Sequence, residues 1–293
     1  MREAGARFAR FAAIDWSGAR GSRHKGIAIA MAEAGGGAPR LVRPGHAWSR
    51  SEVLDWLLAE AERAPTLFGF DISAAPPFLA RGSYLPGDPE IPCDAKSFWA
   101  YVDSVCEDED LGAASFLERR HRRHFYFGTA DGVKRDYLHH RACEQAFNAT
   151  GGGKASTVYD AIGAGQVAKA SFSGMRLLHR LGGRVPVWPF DPRPDEGSLV
   201  VEIYTRAFIR LAGRDGRKLR TVAELNRALA ALACPPVRPR RALTDHETDV
   251  LLAAAAMRAI APDARYWSPG GLTEEIARTE GWTFGVLGDA ARG

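Results

Sequence analysis

The chain has 293 residues, of which 46% are hydrophobic and 25% are charged, and its 39 Lys and Arg against 35 Asp and Glu give a net charge of +4. This composition provides for a real core and is ordinary for a soluble globular protein, while the small net charge alone says little about a polyanionic partner. The four cysteines form no Cys-x-x-Cys pair, and no apolar run reaches the length of a membrane span. The sequence therefore argues against a disulfide framework, a thiolate zinc site and a membrane helix, and we expect a cytoplasmic protein without a membrane partner.

The first 75 residues predict a mixed β-sheet. Apolar runs predict strands at residues 8–15, 26–32, about 40–48 and 66–71, and a helix that starts after Ser49 and ends before Pro65. Two hairpins followed by a helical crossover imply that the strands are antiparallel at first and then parallel.

A carboxylate ends both the first and the fourth predicted strand, at Asp15 and Asp71. A strand that is buried on both faces cannot bury a charge without compensation, so these side chains should lie at the strand ends near water or a cation. If the two strands are adjacent and parallel, both carboxylates come within reach of one ion.

Residues 76–195 interrupt the strand pattern. They are rich in aromatic residues, His, Arg and Pro, and no linker-like composition marks a boundary. We therefore expect a mostly helical insertion within one domain that spans residues 1–293. The prolines at 186 and 189 exclude a central strand there.

The predicted sheet resumes with a strand at 198–204 that carries Glu202, and helices follow at about 221–232 and 244–261. Thr244 and Glu247 form a capping box at the start of the last helix.

The first turns of that last helix carry Asp245, His246 and Asp249 on one face. Acidic residues at a helix start favour the helix dipole, which also explains Asp245, but Asp249 lies deeper beside apolar residues. Clustered carboxylates repel one another unless a cation shares the site, and hard ions such as Mg²⁺ or Mn²⁺ take oxygen ligands. Two such ions about 4 Å apart stabilise the attacking and leaving oxygens in phosphodiester cleavage.

Two segments are strongly basic: residues 119–141 hold seven Arg and Lys, and residues 206–241 hold ten. Such asymmetry suits a phosphate-bearing ligand, although solvated surface arginines explain it as well. The phosphate contacts that we predict in the first segment are Arg122, Arg123 and Arg135.

Two further motifs are not assigned to a site. His121 and His124 have no evident carboxylate or thiolate partner that would complete a metal site, so we expect surface histidines beside arginines. The glycine-rich residues 151–156 lack both the residue pattern and the preceding strand of a nucleotide-binding P-loop.

Short motifs along the chain carry a resemblance to a known family. They are Ile14-Asp15-Trp16-Ser17-Gly18, Phe70-Asp71-Ile72-Ser73, Val201-Glu202-Ile203-Tyr204, residues 244–253 and Glu280-Gly281-Trp282-Thr283-Phe284-Gly285. They resemble the domain-of-unknown-function family 429, which is described as predicted nucleases of ribonuclease H-like fold. The resemblance implies an α/β fold with a mixed five-stranded sheet flanked by helices.

The resemblance also implies roles for particular residues. In the superfamily, acidic residues on the first strand, the fourth strand and the last helix hold the metals, which here implies Asp15, Asp71, Asp245 and Asp249. The last-helix residues, His246 included, are also similar to those of the resolvase branch. The glutamate on the first helix of ribonuclease H proper has no clear counterpart, because Glu52 and Glu60 look like ordinary surface residues, so Glu202 would serve instead as a catalytic carboxylate.

The sequence thus predicts a Mg²⁺- or Mn²⁺-dependent phosphodiesterase that acts on nucleic acid, in which Ser17 and His246 also contact the substrate. One alternative is a module of the same fold that binds nucleic acid or protein without catalysis. The other is an actin-like phosphotransferase, which would need a second set of strands within residues 76–195.

Overall fold

The computed structural model describes residues 7–151, 155–162 and 167–288. It is an α/β structure with a mixed seven-stranded sheet flanked by helices. The strands are β1 Arg10–Asp15, β2 Ala28–Glu33, β3 Gly36–Leu41, β4 Thr66–Asp71, β5 Val187–Trp188, β6 Leu199–Ile203 and β7 Thr283–Phe284. The helices are α1 Arg50–Arg63, α2 Ala95–Val105, α3 Ala142–Ala149, α4 Val167–Arg180, α5 Thr205–Leu211, α6 Val222–Ala231, α7 Asp245–Ile260 and α8 Glu274–Thr279.

The first half of the sheet has the predicted directions. β1, β2 and β3 pair antiparallel in sequence, and β4 pairs parallel with β1 after the crossover through α1. The helix start is also as predicted, since the Ser49 side chain accepts a hydrogen bond from the Glu52 amide. The third strand begins earlier than predicted, because the chain reverses between Glu33 and Gly36 and pairs these two residues.

The predicted count of five strands is wrong, because two strands of only two residues extend the sheet. β5 pairs with β6 beside Val200 and Val201, and β7 pairs with β6 beside Glu202 and Ile203. Both lie parallel along the same edge of β6. Prolines at 186 and 189 bracket β5 and cannot donate to a ladder, which keeps it short and at the edge as predicted. Two residues show no periodicity that would reveal a strand.

Each face of the sheet carries its own hydrophobic cluster. One cluster joins Ala13, Leu67 and Val201 to α5, α6 and α7, and the other joins Ile14, Phe70 and Val200 to α1, α2 and α4. The four alanines of α7 at 253–256 are fully or almost fully buried, so this helix approaches the sheet closely.

The segment 76–195 contributes α2, α3, α4 and several single helical turns, and α2 packs on α4. Within its described residues, the only β pairing is β5 and an isolated bridge between Tyr126 and Asp160. The second set of strands that an actin-like phosphotransferase needs is therefore not present in that part. Among the described helices, none combines the length and apolar character needed to cross a bilayer.

Close packing of α7 on β4 gives a first prediction. A Cβ atom at Gly69 would lie 2.6 Å from Met257 Sδ and 2.8 Å from Ile203 Cγ2. We expect Gly69→Ala to lower the free energy of unfolding by about 1–3 kcal/mol in urea denaturation, because overpacking a core forces neighbours to shift. The double variant with Met257→Ala should lose less than the sum of the two single effects, because the added methyl group occupies volume that the shortened side chain vacates. Strict additivity would contradict this packing.

Candidate functional site

Asp15 and Asp71 lie side by side. They are register partners at the carboxyl ends of the adjacent parallel strands β1 and β4, as the sequence predicts. On the next strand, Glu202 is paired with Phe70. The carboxyl ends of adjacent parallel strands form a common place for ligands in open α/β sheets.

The start of α7 lies at the same place. The predicted capping box is present, because Thr244 and Glu247 each accept a hydrogen bond from the backbone amide of the other. This fixes the first turn, in which His246 Nδ1 lies 2.8 Å from Asp15 Oδ2. Asp249, one turn further, is 7% exposed, as its position in the apolar stretch predicts.

The three carboxylates influence one another through their charges. Burial and the charge of Asp15 raise the pKa of Asp71 to about 8, with a smaller contribution from Asp249, while a hydrogen bond from Thr205 Oγ1 at 3.0 Å opposes the shift. Burial also raises the pKa of Asp249 to about 6, partly offset by Lys218, whose Nζ lies 3.5 Å from Asp249 Oδ2. Burial and the neighbouring carboxylates thus disfavour the ionised forms of Asp71 and Asp249.

A cavity of about 330 Å³ opens onto Asp15 and Asp71. Asp15, Asp71 and His246 line it together with Trp16, which forms part of its apolar wall. Asp71 keeps partial exposure through the cavity. The cavity volume falls within the range of small-molecule sites.

Ser17 lies on the loop that follows β1, and a buried arginine fixes this loop. Arg50 of α1 is fully buried and donates from Nε to the Ser17 carbonyl at 2.9 Å and from Nη2 to the Ala19 carbonyl at 2.5 Å. Asp110 accepts from the Arg50 amide at 2.9 Å. Ser17 and His246 approach the same point, because a Cβ at Gly26 would lie 3.5 Å from Ser17 Oγ and 3.6 Å from His246 Nε2.

Glu202 lines the cavity but is fully paired inside the protein. Arg141, which is also buried, donates to both of its carboxylate oxygens at 2.6 and 2.7 Å. Glu202 accepts two further hydrogen bonds, from the Ala74 amide at 2.7 Å and from Thr283 Oγ1 at 2.6 Å. Its geometry is that of a satisfied buried ion pair, whereas we predicted a catalytic carboxylate. Sequence reasoning counted Arg141 only as one of a basic run and so missed this partner.

The other predicted residues, Asp249 and Ser17 included, are not among those that line the cavity. The Asp245 side chain is 61% exposed, with one oxygen 4.0 Å from Lys218 Nζ. Arg122 pairs with Asp131, Arg123 pairs with Asp88, and Arg135 is exposed on a single helical turn. Of the glycine-rich residues 151–156, those at 152–154 lie outside the described residues.

The expectation for His121 and His124 is wrong. Both residues are buried, at 3% and 8% exposure, and both rings contact Asp88. Among the described residues, these three form the one group whose ligand atoms of His, Cys, Asp or Glu all lie within 4.8 Å of one another. The carboxylate is 33 and 36 positions away in the chain, so spacing could not reveal it.

Comparison of the chain with protein-family models, with curated proteins and with solved structures gives no match. The kinship with ribonuclease H-like nucleases therefore stays a prediction from the motifs.

The raised pKa of Asp71 gives a second prediction, about the dependence of stability on pH. In the unfolded chain Asp71 titrates near pH 4, whereas its pKa in the folded protein is about 8. Between these values the folded state holds a proton that the unfolded state releases, so this carboxyl lowers stability as the pH rises. We expect Asp71→Asn to raise the melting temperature in EDTA at pH 8 but not at pH 4.

Glu202→Gln is the matched control, since it makes the same acid-to-amide change one strand away. It should cost about 1.5–3 kcal/mol, because it removes the carboxylate that accepts from both terminal nitrogens of Arg141 and leaves only Glu144, 3.0 Å from Arg141 Nε, to balance that buried charge. If Asp71→Asn destabilises the protein at pH 8 as Glu202→Gln does, the carboxylates do not repel one another.

Proposed function

We propose that the protein is a metal-dependent phosphodiesterase that acts on nucleic acid, with Mg²⁺ or Mn²⁺ held by Asp15, Asp71 and Asp249. One observation carries the proposal: two carboxylates lie side by side at the ends of adjacent parallel strands, at a cavity, with a third on the neighbouring helix. The order of elements, three antiparallel strands, a helix, a parallel strand, the further parallel strand β6 and the acidic helix α7, supports the ribonuclease H-like kinship.

The donor set fits a hard divalent ion. Within the described residues, Asp15 accepts one side-chain hydrogen bond, from His246, and Asp71 accepts one, from Thr205. Each carboxylate can accept several more, so oxygen lone pairs remain for a ligand. A divalent cation bound here would supply an activated water and neutralise charge on the phosphate.

The chain's own residues would position the substrate. His246 donates from Nδ1 to Asp15, and this hydrogen bond raises the His246 pKa. In the charged imidazolium form, Nε2 of this 44% exposed side chain can donate to a phosphate beside Ser17. The loop that carries Ser17 is fixed by Arg50, so this contact needs no rearrangement. Asp245 is exposed beside Lys218 and is placed at the margin of the site. The basic segment 206–241 begins with α5, directly after β6, and would attract the nucleic-acid backbone.

Calorimetric titration with Mn²⁺ and Mg²⁺, followed by cleavage assays on DNA and RNA oligonucleotides, tests this proposal. We expect saturable binding that Asp15→Asn with Asp249→Asn abolishes, and a loss of cleavage of at least about 100-fold, because removing direct ligands should cost more than removing their supporting partners. Asp55→Asn, on the exposed face of α1, is the matched control and should bind and cleave as wild type.

Absence of metal binding in the wild type, even with an oligonucleotide present, would overturn the nuclease proposal. The cavity would then belong to a non-catalytic binding module in which Lys218 balances Asp249.

Lys218 gives a further prediction about the same site. Its ammonium group lies 3.5 Å from Asp249 and competes with a metal ion for that carboxylate. We expect Lys218→Gln to bind Mn²⁺ several-fold more tightly, and the gain should shrink at high salt because charge interactions are screened. Arg217→Gln, at the exposed neighbour that pairs with Asp215, should leave binding unchanged. Weaker binding in Lys218→Gln would mean that the lysine supports the site.

A further inference from the structure

Asp88, His121 and His124 form a second cluster that does not line the cavity of Asp15 and Asp71. Asp88 Oδ2 lies 2.9 Å from His121 Nδ1 and 2.9 Å from His124 Nε2. The Asp88 side chain is 17% exposed, and the two ring side chains are 3% and 7% exposed. One carboxylate oxygen therefore faces two buried ring nitrogens.

The neighbours of His121 accept either ring tautomer. Its Nε2 lies 2.9 Å from the Tyr101 hydroxyl, and that hydroxyl can donate to Glu90 Oε1 at 3.2 Å. When Tyr101 donates to Glu90, the His121 ring can carry its proton on Nε2 and donate it to Tyr101. In that tautomer Nδ1 presents a lone pair to Asp88, as a metal ligand must.

His124 is constrained from the other side. Arg123 Nε lies 3.2 Å from His124 Nε2, and a guanidinium group can only donate. In the tautomer that accepts this hydrogen bond, His124 Nε2 also presents a lone pair. Arg123 in addition donates from Nη2 to Asp88 Oδ1. This leaves Oδ2, the other carboxylate oxygen, for the two histidines.

In these tautomers three electron pairs converge. Without an ion, the rings satisfy Asp88 in their other tautomers, in which each donates one hydrogen bond to it. Two imidazolium rings would bury two charges beside Arg123, which is costly. A single cation bound to all three atoms satisfies both contacts. Donor atoms that share a tetrahedral ion at about 2.1 Å lie roughly 3.4 Å apart, so Asp88 and each ring, now 2.9 Å apart, would separate by about half an ångström on binding.

We propose that Asp88 Oδ2, His121 Nδ1 and His124 Nε2 bind a Zn²⁺ ion. Two imidazoles and one carboxylate are a known zinc ligand set, and three protein ligands leave a position for water. Tyr101 with Glu90 orients His121 as partners of metal-bound histidines do. This site is independent of the proposed Mg²⁺ or Mn²⁺ site, whose ligands are oxygens only. The ion would join the loop at Asp88 to the helical turns Phe116–Arg120 and Arg122–His124.

The test measures zinc alone, on the full chain. The protein is stripped with EDTA, titrated with Zn²⁺ by calorimetry and checked for metal content by mass spectrometry after dialysis. We expect one Zn²⁺ per chain, a higher melting temperature with Zn²⁺, and at least a 10-fold loss of affinity in His121→Gln with His124→Gln. His46→Gln, at a partly exposed histidine that contacts Glu52, is the matched control and should bind as wild type.

One double variant distinguishes the two metal sites, and a second variant tests the effect of the positive charge beside the zinc ion. Asp15→Asn with Asp249→Asn should keep the bound Zn²⁺, even though it abolishes the proposed Mn²⁺ binding. Arg123→Gln should bind Zn²⁺ more tightly, because it removes a positive charge beside the ion. Failure of Mn²⁺ binding would leave the zinc result standing, and the reverse also holds.

A measurement on the wild type avoids any dependence on variant folding. In ¹H–¹⁵N spectra of the histidine rings, Zn²⁺ should shift Nδ1 of His121 and Nε2 of His124 and leave His46 unchanged. Absence of zinc binding, equal affinity in a folded double variant, or zinc shifts confined to other histidines would each overturn the proposal.

Discussion

The parallel register of β1 with β4 is the constraint on which the site depends. It sets Asp15 directly beside Asp71, and backbone pairing along both strands holds the two carboxylates together although their charges repel. Apolar strand residues make this possible, since Ile14 and Phe70 lie in one cluster and Ala13 and Leu67 lie in the other. The hydrophobic burial of the two strands thus offsets the repulsion at their ends.

Other buried carboxylates in this protein show how completely such a group can be compensated. Asp103 receives Arg176 Nε at 3.0 Å and Arg180 Nε at 2.7 Å. Glu202 accepts hydrogen bonds from both terminal nitrogens of Arg141. Asp71 accepts one side-chain hydrogen bond, from the Thr205 hydroxyl. Of these three, and within the part of the chain that the structure describes, the carboxylate that lacks a cationic partner is therefore the one at the place where the strand ends meet the cavity. Natural proteins accept such deficits where they serve function, because a satisfied ion pair has no free electron pairs to offer a ligand.

Local patterns made much of the fold predictable. The four-residue spacing of apolar side chains and the Ser49 and Thr244 caps located α1 and α7, and the apolar run that ends on Asp71 gave β4 with its observed bounds. Asp15 and Asp71 could be brought together because parallel strands carry their ends to one edge. Patterns of this kind depend only on residues near one another in the chain.

The misses at the two buried clusters and at the sheet edge are partnerships between distant residues. Arg141 meets Glu202 across 61 positions, and Asp88 meets His121 across 33, so neither pair leaves a spacing signal. β5 and β7 are strands only because the edge of β6 is open to them. A buried arginine and a surface arginine look the same in a sequence, and only the fold decides whether a carboxylate lies opposite.

A chain of side-chain contacts links His121, in the segment 76–195, to the cavity. His121 lies against Phe116, with ring centroids 4.5 Å apart, and Phe116 lies 4.9 Å from Phe172 of α4. Next to Phe172 in α4, Ser173 accepts a hydrogen bond at 3.2 Å from the indole of Trp16, a cavity residue.

The same helix comes against the loop after β1, since a Cβ at Gly18 would lie 2.3 Å from the Ala170 amide nitrogen. Only glycine permits this approach, and Ala170 itself lines the cavity. An ion at Asp88, His121 and His124 would therefore stiffen turns that pack on the helix forming one cavity wall. The opposite side is fixed by β1, β4 and α7, so in this arrangement the sheet would supply the carboxylates and the insertion would set the width of the space before them.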